Sequence, residues 1–208
     1  MENGVLKDGV PKQTFTAKVR PGDIKYVDLD KNGFIDTYDQ MAIGGTENPE
    51  IVYGFGVNLR WKELDFGAMF QGIGRTWRIL SSNIMPASNK GSMYNIFDNY
   101  QDRWTVDNQS QDVFYPRADY GPNANNSQKS TWWLRNMSFL RLKNLELGYS
   151  CPKKWLQGFV ISNARVFVRG TNLLTFSKFN LWDPELATGD GAKYPAMKSV
   201  SVGFDITF

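Results

Sequence analysis

The chain has 208 residues, enough for one ordinary domain, with 41% hydrophobic and 22% charged residues and a net charge of +3. Histidine is absent and Cys151 is the single cysteine, which excludes a zinc site, a Cys-His nucleophile pair and a Ser-His-Asp triad as these are usually built. Lysine and arginine are scattered, with no stripe that would track phosphates, so nucleic acid is not an expected partner.

Cys151 has no internal partner and says nothing about redox compartment. No apolar run approaches the roughly 18 residues of a transmembrane helix. A membrane strand, by contrast, needs only about 9–11 alternating residues and leaves hydropathy low. The start, Met1, Glu2, Asn3 and Gly4, lacks the basic and apolar segments of a secretory leader. The chain is therefore expected to be a piece of a longer protein.

Residues 1–50 read as loop, with Gly4, Gly9, Pro11, Pro21 and Gly22 early on and a short extended piece at Phe15–Val19. Within them, Asp28–Asp39 fits a calcium-loop template. Asp28, Asp30 and Asn32 occupy positions 1, 3 and 5, Gly33 the sharp turn, Phe34 the carbonyl position, and Asp36 and Asp39 positions 9 and 12. Oxygen ligands at alternating positions let a loop wrap one large cation. Asp39 departs from the glutamate that EF-hands prefer, and no helix pair flanks the loop, so this is not a calcium sensor. A metal-free loop rich in Asx turns is the other reading.

From Ile51 the period becomes two. Ile51, Tyr53, Phe55, Val57, Leu59 and Trp61 share one face, and the pattern resumes after Lys62 and Glu63 with Leu64, Phe66, Ala68 and Phe70. This predicts a hairpin of strands at 51–61 and 63–73. Residues 74–137 carry no strand period; Met93, Phe97, Tyr100 and Trp104 there mark one helical face. Strands are predicted again at 138–150 and 162–171, joined by a short connection through Cys151 and Gly158. A loop is predicted at 172–197. Last comes a strand at 198–208, where Val200, Val202, Phe204, Ile206 and Phe208 alternate with Ser199, Ser201, Gly203, Asp205 and Thr207.

The connections alternate, short turn then long loop. Long structureless loops argue against a compact soluble domain, whereas outer-membrane barrels combine short periplasmic turns with long outer loops. The second face carries Gly, Ser, Thr, Asn and Asp, as suits a wet or plugged lumen. The expected fold is all-β: about five C-terminal antiparallel strands of a large outer-membrane β-barrel, with long extracellular loops and a periplasmic C-terminus. So few strands cannot close, so the barrel is incomplete. A soluble sandwich with its apolar face inward has the same period. In that case the chain is a calcium-stabilised β-domain for carbohydrate binding or adhesion.

Several segments together resemble the C-terminal third or so of the SusC/RagA family of TonB-dependent transporters. They are Pro21-Gly22-Asp23-Ile24-Lys25-Tyr26 leading into Asp28–Asp39; Tyr53-Gly54-Phe55; Asp65-Phe66 with Phe70-Gln71-Gly72; Asp102-Arg103-Trp104; and Tyr115-Pro116-Arg117. Further along come Phe139-Leu140-Arg141-Leu142-Lys143-Asn144 with Leu147-Gly148-Tyr149 and Pro152; Thr171-Asn172-Leu173-Leu174; Asp183-Pro184-Glu185; Tyr194-Pro195; and Ser201–Phe208. Each piece is weak alone; their order over nearly the whole chain is specific. The resemblance implies a plugged barrel of about 22 strands, energised through the TonB complex and capped by a SusD-like lipoprotein, that imports oligosaccharides or peptides. It also implies that Phe208 is the signal read by the barrel-assembly machinery. Plug, TonB box and most strands lie outside this chain, so transport by it alone is not expected. Family members often carry an acidic residue and Tyr where this chain has Asn136–Phe139.

Trp104, Trp132, Trp133, Trp182 and Tyr194 fall in the long loops, as candidate substrate-stacking faces or as loop packing. Trp61 and Trp155 lie at short turns and suit an interfacial aromatic girdle. Asp65, Glu146 and Asp205 alternate toward the lumen. No enzyme is expected: a glycosidase needs two facing carboxylates, and the nearest acidic pair, Asp183 and Glu185, has nothing in its loop to raise one pKa.

Overall fold

The computed structural model describes residues 6–16, 18–81, 97–119, 121 and 123–208. In chain order its strands are β1 (Lys12–Gln13), β2 (Phe34–Ile35), β3 (Ile51–Trp61), β4 (Leu64–Gly74), β5 (Trp77–Ile79), β6 (Leu134–Asn136), β7 (Phe139–Ser150), β8 (Asn163–Ser177) and β9 (Ser199–Thr207), with one short helix, α1 (Lys153–Leu156). The chain divides into two compact units. The first comprises 1–44 and 79–134, the second 45–78 and 135–208.

The second unit is a five-stranded antiparallel sheet in the order β3-β4-β7-β8-β9. Lys62, at φ 54°, supplies the left-handed residue that closes the two-residue turn between β3 and β4, so that Trp61 pairs with Leu64. The register puts Tyr53, Phe55, Val57 and Leu59 beside Gly72, Phe70, Ala68 and Phe66 on one face, and Phe55 stacks on Phe70 at 5.1 Å. The same face continues through Leu147, Val168 and Val202. It is bare: Val200, Val202, Phe204, Ile206 and Phe208 are 52–81% exposed, and no second sheet covers them among the described residues. In water each such side chain forgoes roughly 1.5–3 kcal/mol of burial.

β8 runs to Ser177, six residues beyond the strand predicted at 162–171, and shortens the predicted loop. The pattern is hidden because Gly170, Thr171 and Asn172 interrupt it. The ladder absorbs the break by a bulge at Lys143, where pairing jumps from Leu142–Leu174 to Asn144–Thr171 and Asn172 adopts φ 53°. Leu174 and Phe176 then resume the apolar face.

The first unit is built mainly from loops. Its β1 and β2 pair in parallel, Gln13 opposite Ile35, two residues before the extended piece predicted at Phe15–Val19. Its buried side chains include Ile24, Ile35, Leu80, Tyr115 and Trp133. Of the predicted helical face, Met93 lies outside the described residues. The rest is not a continuous helix: Asp98–Gln101 form a single 3-10 turn, and Trp104 is extended because its N–H goes to the Tyr115 carbonyl at 3.0 Å.

Candidate functional site

In the first unit, Asp28–Asp39 folds back on itself through its own carboxylates. Asp28 accepts from the Gly33 N–H at 2.9 Å, Asp30 from the Asn32 N–H at 3.1 Å, and Asp39 from the N–H groups of Leu29 and Asp36 at 2.7 and 2.9 Å. Those last two bonds, Asp36 first, hold the Asp39 carboxyl below the usual carboxylate range. Gly33, at φ +87°, makes the turn, and buried Ile35 moors the loop. The result brings one oxygen each of Asp28, Asp30 and Asp39 within 4.8 Å of one another. The other predicted ligands lie in the same loop and take part in its hydrogen bonds. Asn32 donates to Asp30 and accepts from the Phe34 N–H, and Asp36 turns to the Tyr38 N–H. Phe34 lies in β2 with its ring half exposed. Asp28 Oδ1 is shielded from solvent with no hydrogen-bond donor. A hard cation among three carboxylate oxygens would satisfy it, so the donor set fits calcium.

The same unit holds a polar cluster that the sequence reading did not single out as a site. Asp23, its side chain wholly buried, pairs with Arg117 at 2.8 Å and accepts from the amides of Asn123 and Asn126. Arg117 also pairs with Asp119 at 2.7 Å. Burial works against its charge, and the two carboxylates more than offset it, leaving its pKa raised. Tyr26 donates to the Asn125 carbonyl at 2.6 Å, and burial pushes its hydroxyl pKa up.

On the non-apolar face of the sheet, charges cross four strands. Arg165 of β8 meets Asp65 of β4 at 2.5 Å, Glu146 of β7 at 2.6 Å and Asp205 of β9 at 3.2 Å, and Arg169 meets Glu146 at 2.6 Å. The three acidic residues predicted to share the inner face are thus brought into one network. Gly148 leaves room for it: a Cβ there would lie 2.4 Å from the Arg165 guanidinium and 2.5 Å from the Asp65 carboxylate.

Nearer the end of the sheet that carries the β8–β9 loop, Arg141 is 1% exposed and pairs with Asp183 and Glu185 of that loop, the latter at 2.8 Å. The acidic pair excluded as glycosidase carboxylates is a clamp on an arginine.

The predicted aromatic contacts divide between the units. Trp104 packs over Gly22, Trp132 donates to the Phe114 carbonyl at 3.1 Å, and Trp133 donates to the Asn126 carbonyl at 2.8 Å. Trp133 is 1% exposed, so it is core and offers no face to a ligand. Trp182 meets Phe179 edge-on at 4.8 Å, and Tyr194 is 81% exposed. At the tight-turn end, Trp61 is exposed with the Lys62 ammonium 5.0 Å from its ring, and Trp155 on α1 is exposed.

No helix among the described residues is long and apolar enough to cross a membrane, which says nothing of strands. An antiparallel sheet with a charged face and, among the described residues, an uncovered opposite apolar face and unpaired edges at β3 and β9 defines a segment of a membrane β-barrel wall. No family model matches the chain. It is 32% identical over 202 residues to TonB-dependent receptor P26 of Formosa agariphila, a match covering 90% of this chain and 20% of the relative. It is 24% identical over 205 residues to the TonB-dependent receptor SusC of Bacteroides thetaiotaomicron, covering 96% and 19%. Among solved structures it is similar to the RagAB peptide importer in the open-open state, with TM-score 0.67, 32% identity, and coverage of 88% of this chain and 20% of that one. The chain belongs to the SusC/RagA family of TonB-dependent receptors, which are outer-membrane β-barrel proteins. It spans about a fifth of the length of the relatives it matches, less than the third the sequence pattern suggested.

Proposed function

We propose that this chain is part of the wall of an outer-membrane importer of oligosaccharides or peptides, energised through the TonB complex and working with a SusD-like surface lipoprotein. One observation carries the reading: the apolar row from Val200 to Phe208 is uncovered. Lipid is the environment that covers it without a second sheet. The bare row also disfavours the soluble, calcium-stabilised adhesive or carbohydrate-binding domain, which needs that row inside. The long loops then face outward and the Lys62 turn and Phe208 face the periplasm, with Phe208 as the mark read by the barrel-assembly machinery. The charges on the non-apolar face pair with one another, and the reading is of a transporter part rather than an enzyme. Five strands do not close a pore, so this part does not transport alone.

The proposal extends to calcium in Asp28–Asp39, with Asp28, Asp30 and Asp39 as carboxylate ligands and the ion as a stiffener of an outer loop. Support comes from the three converging oxygens and the donorless Asp28 Oδ1.

Fractionation of cells that make the intact protein tests the main reading. The expected result is recovery in outer membranes, retention through a carbonate wash, release only by detergent, and co-purification of a lipoprotein. A monodisperse protein in plain buffer overturns it.

A further inference from the structure

The loop between β8 and β9 is fixed at two points. Ser177 Oγ donates to the Ser138 carbonyl at 2.8 Å and accepts from the Phe179 N–H at 3.1 Å. Farther along, Asp183 caps the turn Pro184–Leu186 by accepting from the Glu185 N–H at 3.0 Å while held by Arg141. Between the loop and the strands it joins lies a cleft of about 370 Å³, near the low end of the roughly 300–1,000 Å³ usual for ligand sites. It has room for one terminal unit of a larger ligand.

Its lining is chemically one-sided. Phe179 and Trp182, set edge to face, form an aromatic wall. Thr175, Asn180 and Lys198 supply hydrogen-bonding side chains, and none of these three side chains makes a hydrogen bond or ion pair among the described residues. Trp182 Nε1 also lacks an acceptor. The one carboxylate in the lining, Asp183, is taken by Arg141. The cleft thus offers donors and an ammonium without a counter-ion beside an apolar surface. Charge-assisted hydrogen bonds to an ionised acceptor are about twice as strong as neutral ones. A neutral unit leaves the Lys198 charge unmatched, and a cation meets like charge.

We infer that this cleft binds a terminal carboxylate-bearing unit, its acid group on Lys198 and its apolar face on Trp182. The chemistry has two sources, the C-terminal residue of a peptide or a terminal uronate of an oligosaccharide. The choice between them rests on the importer reading; the carboxylate preference does not.

The test uses the intact protein purified from membranes, titrated calorimetrically with trialanine, trialanine C-terminal amide, trigalacturonate and neutral galactotriose. One acid is expected to bind about tenfold tighter than its neutral counterpart, and the pair that discriminates names the source. Lys198→Met is expected to erase that preference, Lys198→Arg to keep it, and Trp182→Phe to weaken the preferred acid. Equal binding within both pairs, binding of none of the four, or an undiminished preference in Lys198→Met overturns the inference. These outcomes are separate from the importer reading, whose own test is whether the protein leaves the membrane without detergent.

Discussion

Asp23 and Arg117 lie 94 positions apart and form a buried ion pair at 2.8 Å, with the Arg117 N–H donating to the Gly22 carbonyl at 3.0 Å. A Cβ on Gly22 would lie 2.3 Å from the Trp104 ring. Pro21-Gly22-Asp23, Arg103-Trp104 and Tyr115-Pro116-Arg117 are therefore a single cluster seen three times along the chain. Removing one partner of a buried pair strands the other charge and costs about 3–5 kcal/mol. Arg117→Met should open the first unit to limited proteolysis within residues 97–133 in the intact protein. The double variant Asp23→Asn/Arg117→Met should be less sensitive than Arg117→Met alone. Equal protection in wild type and Arg117→Met would show that the pair does not hold the unit.

How much was legible divides along physical lines. The alternation of Ile51–Trp61 and Val200–Phe208 is local, because side chains on a strand point to opposite faces in turn. The continuation of β8 was not legible, because a bulge at Lys143 and a left-handed Asn172 let the strand pass residues that read as loop. The motif pieces were visible but their partners were not. Nothing in Arg141 or in Asp183-Pro184-Glu185 announces that the two meet, since that contact is set by the fold of a loop. Among the calcium-type residues, the spacing named Asp28, Asp30, Asp36 and Asp39 alike, whereas the fold brings carboxylate oxygens of Asp28, Asp30 and Asp39 together and turns Asp36 Oδ1 to the Tyr38 N–H. Trp133 shows the same limit: the sequence left stacking face and loop packing both open, and only the surrounding core decides for packing.

Gly148 lies under the Arg165–Asp65 bridge, and any side chain there meets two charged groups at 2.4–2.6 Å. Gly148→Val should push Arg165 aside, leave Asp65 without its cation and Glu146 with Arg169 alone, and cost the overpacking penalty of about 1–3 kcal/mol besides. Gly54→Ala is the matched control, since its Cβ meets only the Phe70 carbonyl at 3.4 Å. On unboiled SDS gels, Gly148→Val is expected to lose the fast-migrating folded band at a lower temperature than Gly54→Ala. Indistinguishable transitions would remove the network from the account of sheet stability.

The carboxylates of Asp28–Asp39 predict a dependence on both ion and pH. Calcium should protect the loop from protease and chelator should expose it. Asp30→Ala should abolish the difference. The Asp39 carboxyl is held low by the N–H groups of Asp36 and Leu29, so its contribution is present above the ordinary carboxylate value and is lost as pH falls through the lowered one. Protection is expected to stay constant from about pH 8 to 5 and to fall below about pH 4. Identical digestion patterns with calcium and with chelator would leave a metal-free Asx-turn loop as the better description.

Membrane and water place opposite demands on neighbouring residues of β9. Val202 and Ser201 are adjacent in the chain, pair with Val168 and Arg169, and point to opposite faces. If the apolar face meets lipid, Val202→Arg carries a charge toward hydrocarbon, at a cost of about 2–4 kcal/mol near the bilayer midplane. Ser201→Arg places the same side chain on the face that already carries Arg165, Arg169 and Asp205, where the like charge of Arg169 opposite costs less, about 0.2–1 kcal/mol. Both variants add one arginine at adjacent positions of the same strand, so the added charge is the same and only the face differs. Outer-membrane yield and gel-shift folding are expected to drop for Val202→Arg and to stay near wild type for Ser201→Arg. The reverse order would put the Val202 face in water or against protein and would remove lipid contact from the account of this sheet.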